Sequence, residues 1–228
     1  EPLDNALAYR ILNPRAEQQP AHVLSYADDT RIDAASTSRI LDVYALDVLP
    51  IDDLLLGSRL EGTAGFAVGA EADGSESAVV EDLSGEHFVV PQIRGNHVYH
   101  LLALDADSVV QITETDVLGN HTRAIDLPQG VVVSVEQGAN NSQATRIESD
   151  WPILVLHDTE AGEDVYAVPP ADTDLWGVNS TSAYVAAMQD ATTVQAVASD
   201  GTSETFALDA GELAPIGIGS SAAQGQGS

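Results

Sequence analysis

Short runs rich in Val, Ile, Leu, Thr and Tyr alternate with clusters of Asp, Gly, Ser and Asn along almost the whole chain. Such runs, bounded by turn residues, predict β-strands. "VVQIT" at 109–113, "VVVSV" at 131–135 and "PILVL" at 152–156 are the clearest. "PILVLHD" at 152–158 is apolar enough to predict a strand buried on both faces. "ASDGT" at 198–202 predicts a hairpin turn from its Asp-Gly pair. Only "IDDLLLGSRL" at 51–60 reads as a helical turn, too short to stand alone. Regularly spaced short strands predict packed antiparallel sheets, an all-β fold of β-sandwich modules.

One pattern recurs. Residues 22–51, 98–135 and 182–216 each read as a strand, an acidic turn, a strand opening on a hydroxyl residue (Thr30, Ser108, Thr193), a loop and a further strand. Leu46, Leu127 and Leu208 sit near a strand end in each, which sets a period of about 81 residues. The connecting segments match too: Arg59-Leu60-Glu61 lies over Arg146-Ile147-Glu148, Phe66-Ala67-Val68 over Ile153-Leu154-Val155, and Phe88 over Trp176. The chain therefore divides into an N-terminal strand or arm (1–21), a first module (22–97), a second module with a third half-repeat (98–216) and a Gly/Ser-rich tail (217–228). "ALAYRIL" at 6–12 predicts a strand that either completes the first sheet or adds to a neighbour's sheet edge. The tail is expected to be flexible unless a neighbouring subunit holds it.

Charge adds a constraint on partners. Of 228 residues, 36 are acidic and 8 basic, all of them Arg, for a net charge of −28. That balance excludes nucleic acid as a natural partner, because its phosphates would be repelled. Self-repulsion at this density destabilises a compact state in dilute buffer and is screened by molar salt, which points to a salty habitat. With no cysteine there is neither a disulfide nor a thiolate metal site. No run reaches the length of a membrane span. The chain opens on Glu1 with neither an initiating Met nor a leader, which suggests processing or trimming.

Two motif steps carry a resemblance. Thr145, Ile147, Ser149, Pro152 and Ile153 follow a "T-x-I-x-S-x-x-P-V" step, with Ile153 at the Val position, and Pro169, Pro170, Trp176 and Gly177 come next as "P-P…W-G". Their order, over about 85–216 with an echo at 22–84, resembles the N-terminal domain family of IgG-Fc-binding protein and related bacterial surface proteins. The resemblance implies an extracellular, repetitive, non-enzymatic β protein used for adhesion or matrix.

Candidate chemistry is sparse. The six histidines are His22, His87, His97, His100, His121 and His157. His97 and His100 are three apart, so a strand puts them on opposite faces and they cannot share a metal in simple geometry. His157 precedes Asp158, a pair that can orient an imidazole for catalysis, but no Ser stands in a nucleophile-elbow context. Two acidic loops at equivalent places offer oxygens for calcium: Glu71, Asp73 and Glu76, with Glu81 and Asp82 beyond, in one; Asp158, Glu160, Glu163 and Asp164 in the other. Neither has EF-hand spacing, and solvated acidic loops are the plain alternative. Asn120, Asn140 and Asn179 head glycosylation sequons in predicted loops. Trp151 and Trp176 read as core residues sooner than as a sugar platform. No phosphate loop or nucleotide fingerprint is present. No catalytic residue and no certain cofactor is assigned, calcium being the one candidate. These features predict a non-enzymatic structural protein of an extracellular or cell-surface assembly (filament, adhesin or virion), whose partners are copies of itself or other surface proteins. The alternatives are a calcium- or glycan-binding module of a larger adhesin, and a hydrolase around His157 or His100.

Overall fold

The computed structural model describes residues 8–14, 21–34, 39–51, 54–70, 78–92, 96–116, 118–137, 143–159, 165–172 and 183–217. Among them the structure is nearly all strand, in several antiparallel sheets, with a 3-10 turn at Glu81–Leu83 and no helix long and apolar enough to cross a membrane. The "IDDLLLGSRL" segment is a turn at Leu56 and Gly57 among the described residues, not a helix.

The first eight strands are β1 (Ala8–Ile11), β2 (Ala21–Ser25), β3 (Thr30–Ala34), β4 (Arg39–Val43), β5 (Val48–Ile51), β6 (Arg59–Gly62), β7 (Phe66–Ala70) and β8 (Ala78–Val80). They form a five-stranded sheet, β4-β3-β6-β1-β8, and a three-stranded sheet, β5-β2-β7. Alternation drives the packing: in β3, Thr30, Ile32 and Ala34 are buried while Arg31 and Asp33 are exposed. Both sheets feed one core, with Ile11, Ile32 and Leu60 from one and Val23, Ile51 and Phe66 from the other. The N-terminal strand pairs with β6 and β8, so it completes its own sheet.

The next seven strands are β9 (Gly85–Pro91), β10 (His97–Ala103), β11 (Ser108–Asp116), β12 (Gly119–Leu127), β13 (Val132–Glu136), β14 (Ala144–Thr159) and β15 (Val165–Ala167), joined in one seven-stranded sheet. Strand β9, which the sequence boundaries assign to the first module, pairs with β14. Sixteen residues long, β14 serves both halves of the sheet. Its first half pairs with β9 and β11 and its second with β10 and β15. The register breaks between Glu148 and Ile153, around Pro152, which cannot donate to a ladder. Ile153 to Asp158 are all buried, as the unbroken apolar run predicts. Odd-numbered Ile153 and Val155 face this unit's own core, and even-numbered Leu154 and Leu156 face the first unit.

The last four strands are β16 (Ala183–Ala186), β17 (Thr192–Val197), β18 (Ser203–Leu208) and β19 (Leu213–Ile216), paired as β16-β19 and β17-β18. Gly201, with φ 84°, turns the β17-β18 hairpin at the Asp-Gly pair.

Three times, four consecutive strands pair first with fourth (β2-β5, β10-β13, β16-β19) and second with third (β3-β4, β11-β12, β17-β18). One turn device closes each unit. The carboxylates of Asp28, Asp107 and Asp190 accept from the N–H groups of Ala45, Gln129 and Ala210 at 2.8–3.0 Å. The next residues, Leu46, Gly130 and Gly211, have φ of 65°, 71° and 81°, and their N–H groups donate to the carbonyls of Ser25, Ala103 and Ala187. A constant period of about 81 residues is not shown. Leu127 and Leu208 are opposite Ser108 and Thr192, but the residue opposite Thr30 is Val43, and Leu46 occupies the turn position of Gly130 and Gly211. The third hydroxyl is likewise Thr192, one residue before Thr193. In the connecting segments, Leu60 and Ile147 pair with the equivalent residues Ala34 and Ile112, and Phe66 and Ile153 with Ser25 and Ala103, while the match of Phe88 to Trp176 lies outside the described residues.

The units stack. Leu12, Val79 and Leu83 of the first unit pack on Leu102, Leu154 and Leu156, the outer face of the second. Gly57 (φ +78°) lies so close to Gly130 that a Cβ there would stand 2.8 Å from the Gly130 carbonyl oxygen. Within the first unit, Glu81 accepts from Arg10 at 2.6 Å and Arg59 at 2.9 Å. Burial alone would raise the Glu81 pKa, but hydrogen bonds from Arg59 and Arg10 outweigh it and hold the carboxylate below its ordinary range.

Candidate functional site

Strand β10 places His97 and His100 on opposite faces, as their spacing predicts, and each meets a residue of β14. On the core face, His97 Nδ1 lies 2.7 Å from His157 Nε2, and the rings stack with centroids 4.9 Å apart. Tyr166 of β15, the cross-strand partner of His157, tilts against it at 4.8 Å. Both imidazoles are buried, and His157 Nδ1 has no hydrogen-bond partner among the described residues. Burial, then the neighbouring His97 and His100, pushes the His157 pKa down to about 3, and burial lowers that of His97. Both rings are therefore neutral at pH 7, with one nitrogen of the pair donating and the other accepting. The tautomer is not fixed by the contact.

A polar layer continues from this pair. Gln92 Nε2 donates to Thr145 Oγ1 at 2.5 Å and also to Tyr99 Oη, and Tyr99 Oη donates to Thr145 Oγ1 at 2.9 Å. Gln137 Nε2 donates to Gln92 Oε1 at 2.7 Å. Burial, outweighing the hydrogen bonds with Thr145 and Gln92, raises the Tyr99 pKa, so the phenol stays protonated. Such a satisfied network is what a buried polar layer needs in order not to destabilise the core.

On the opposite face, His100 Nδ1 is 2.8 Å from Ser134 Oγ, and His100 Nε2 is 3.8 Å from Asp158 Oδ2. Ser, His and Asp thus line up across β13, β10 and β14. The order of ring nitrogens is the reverse of the catalytic triad, where the nucleophile meets Nε2 and the carboxylate Nδ1. The Asp contact is also longer than a hydrogen bond. Both His100 and Asp158 are buried, while Ser134 is exposed.

The other candidates are dispersed. Asp158 is inside the fold on β14. Glu71, Asp73, Glu76, Glu160, Glu163 and Asp164 lie outside the described residues. Glu81 is engaged by Arg10 and Arg59. Among the described residues no group of three or more His, Asp or Glu converges in a way that could hold a metal. Asn140, Asn179 and Trp176 also lie outside the described residues. Asn120 is exposed but belongs to β12 instead of a loop, opposite Thr115, whose Oγ1 donates to Asn120 Oδ1 at 2.9 Å. Trp151 is 53% exposed, not in the core, because the bend in β14 turns it outward. His121 is on the surface, 3.2 Å from Asp116 Oδ2, and His87 is exposed on β9.

The clearest surface feature is apolar. Tyr26, Tyr44, Leu46 and Val48 are each more than half exposed and gather where the β2-β3 and β4-β5 connections meet. Sequence reasoning misses this cluster, because each residue alone looks like an ordinary strand residue.

No protein-family model, no curated protein and no solved structure matches the chain.

Proposed function

We propose that this chain is a non-enzymatic structural protein that self-assembles, or joins a surface assembly, through stacked β units. The observation that carries this reading is that the closing turn of the second unit, at Gly130, lies against Gly57 of the first, and the closing turn of the third, at Gly211, lies against Thr115 of the second. A contact that repeats in one direction is the geometry of a solenoid or filament. The imidazoles with the most chemical potential, His97, His100 and His157, serve as buried polar packing. An extracellular or cell-surface place in salty surroundings follows from the −28 charge, the absence of Lys and the resemblance to surface-protein domains.

Sedimentation velocity over a range of protein concentrations tests it, at low salt, at molar salt and with calcium. Concentration-dependent growth at molar salt is expected. A monomer in every condition would contradict assembly. Calorimetry separates the alternative: saturable calcium binding at a few sites would favour a ligand-binding adhesin module.

A further inference from the structure

Among the described residues, one outer sheet face of the first unit carries exposed apolar side chains. On the β5-β2-β7 sheet, the residues alternating with the core positions are His22, Leu24, Val48, Pro50, Ala67 and Gly69, with Tyr26 and Leu46 beside them at one end. None is Asp, Glu or Arg, in a chain of net charge −28. Their equivalents in the second unit include Leu102, Val132 and Leu154, which lie under Leu12, Val79 and Leu83 of the first. Leu24 pairs with Val48 as Leu102 pairs with Val132. The same sheet face is thus covered in one unit and more open in the other: Val48 is 56% exposed, Tyr26 58% and Leu46 76% beside it, while Leu24 and Ala67 are half-buried.

Among the described residues the third unit is packed less fully than the first. Val185, Val194 and Ile216 are half-buried. Their equivalents Val23, Ile32 and Ile51 in the first unit are fully buried.

Leu46 supplies a separate sign. Its φ of 65° lies in the left-handed region, where the equivalent turns have Gly130 and Gly211. A branched side chain there costs conformational energy that glycine avoids. Strain kept at an exposed apolar position marks a place where the side chain has work outside its own fold.

We propose that this face docks the C-terminal unit of a second copy of the chain, head to tail, against the half-buried apolar residues Val185, Val194 and Ile216. The proposal rests on the assembly reading and names its surface. A heterologous contact of this kind does not close on itself and yields open-ended oligomers. An apolar face is also where two strongly acidic chains approach with least repulsion, and the exposed Asp28, Asp29 and Asp47 that flank it make association depend on salt.

The test compares the whole chain with Val48→Asp, Leu46→Gly and a control, Leu118→Asp, at molar salt by mass photometry and sedimentation. Leu118 is exposed in the β11-β12 turn, away from the face. The wild type and Leu118→Asp are expected to grow with concentration. Val48→Asp is expected to weaken growth at least about tenfold, because a charge enters a desolvated contact. Leu46→Gly is expected to weaken it while keeping the β circular-dichroism spectrum, which excludes misfolding as the cause. Excess Val48→Asp added to wild type is expected to shorten the oligomers, since each variant still offers its C-terminal end and then stops growth. Growth of Val48→Asp equal to wild type would overturn this face and leave assembly standing. Wild-type oligomers that ignore added Val48→Asp would overturn the head-to-tail direction. A wild type that never associates would overturn both readings.

Discussion

Mild acid is expected to destabilise the second unit through His157. In the folded protein its pKa is pushed down to about 3 by burial and by His97 and His100. In the unfolded chain it returns to about 6.5. Between these values the unfolded state binds a proton that the folded state refuses, so stability is full above about pH 6.5 and falls as pH drops. The slope is about 1.4 kcal/mol per pH unit, or about 2–3 kcal/mol from pH 6 to pH 4. His97, also shifted down, adds a loss of the same sign. Protonating surface carboxylates relieves repulsion and works the other way, so the measurement belongs in molar salt, where that contribution is screened. Urea unfolding midpoints for wild type and His157→Leu, taken from pH 7 to pH 4, isolate the imidazole. At pH 7 the variant loses the His97 contact; as pH falls, wild type should lose about 2–3 kcal/mol more than the variant. Parallel pH profiles for the two proteins would refute the claim that His157 is held neutral by burial.

The turn device and the inter-unit packing make further expectations. Asp107→Ala removes the acceptor for Gln129 N–H and should cost about 1 kcal/mol by chemical denaturation, with Asp107→Asn retaining part of it. Leu156→Ala, fully buried between the units, should cost about 2–5 kcal/mol; a loss below 1 kcal/mol would mean the units barely depend on each other. Gly57→Ala combines a positive φ with a 2.8 Å approach to the Gly130 carbonyl and should destabilise measurably, whereas Leu46→Gly should stabilise the isolated chain by about 1 kcal/mol. Thermal midpoints should rise from low to molar salt, because the net charge of −28 is then screened; a flat response would remove the salt argument.

Alternation made the strands legible, and the match of Arg59-Leu60-Glu61 to Arg146-Ile147-Glu148 held down to the cross-strand partner. The constant period failed, since the equivalent residues Thr30, Ser108 and Thr192 are not evenly spaced. Leu46 resembles a strand-end leucine in sequence, but it takes a left-handed turn conformation that composition cannot reveal. Trp151 misled because its apolar flanks belong to a strand that bends beneath it. The polar contacts were out of reach for a different reason. His97 and His157 are 60 residues apart and His100 and Ser134 are 34 apart, so their meeting depends on strand order, register and face together. The opposite faces of His97 and His100 needed only the strand period, and that much could be read.

Electron microscopy of the purified chain at molar salt tests the central claim most directly. Open-ended particles built from one directionally repeated subunit are the expected result. Uniform single particles, or dimers that stop at two, would contradict a protein whose units stack head to tail.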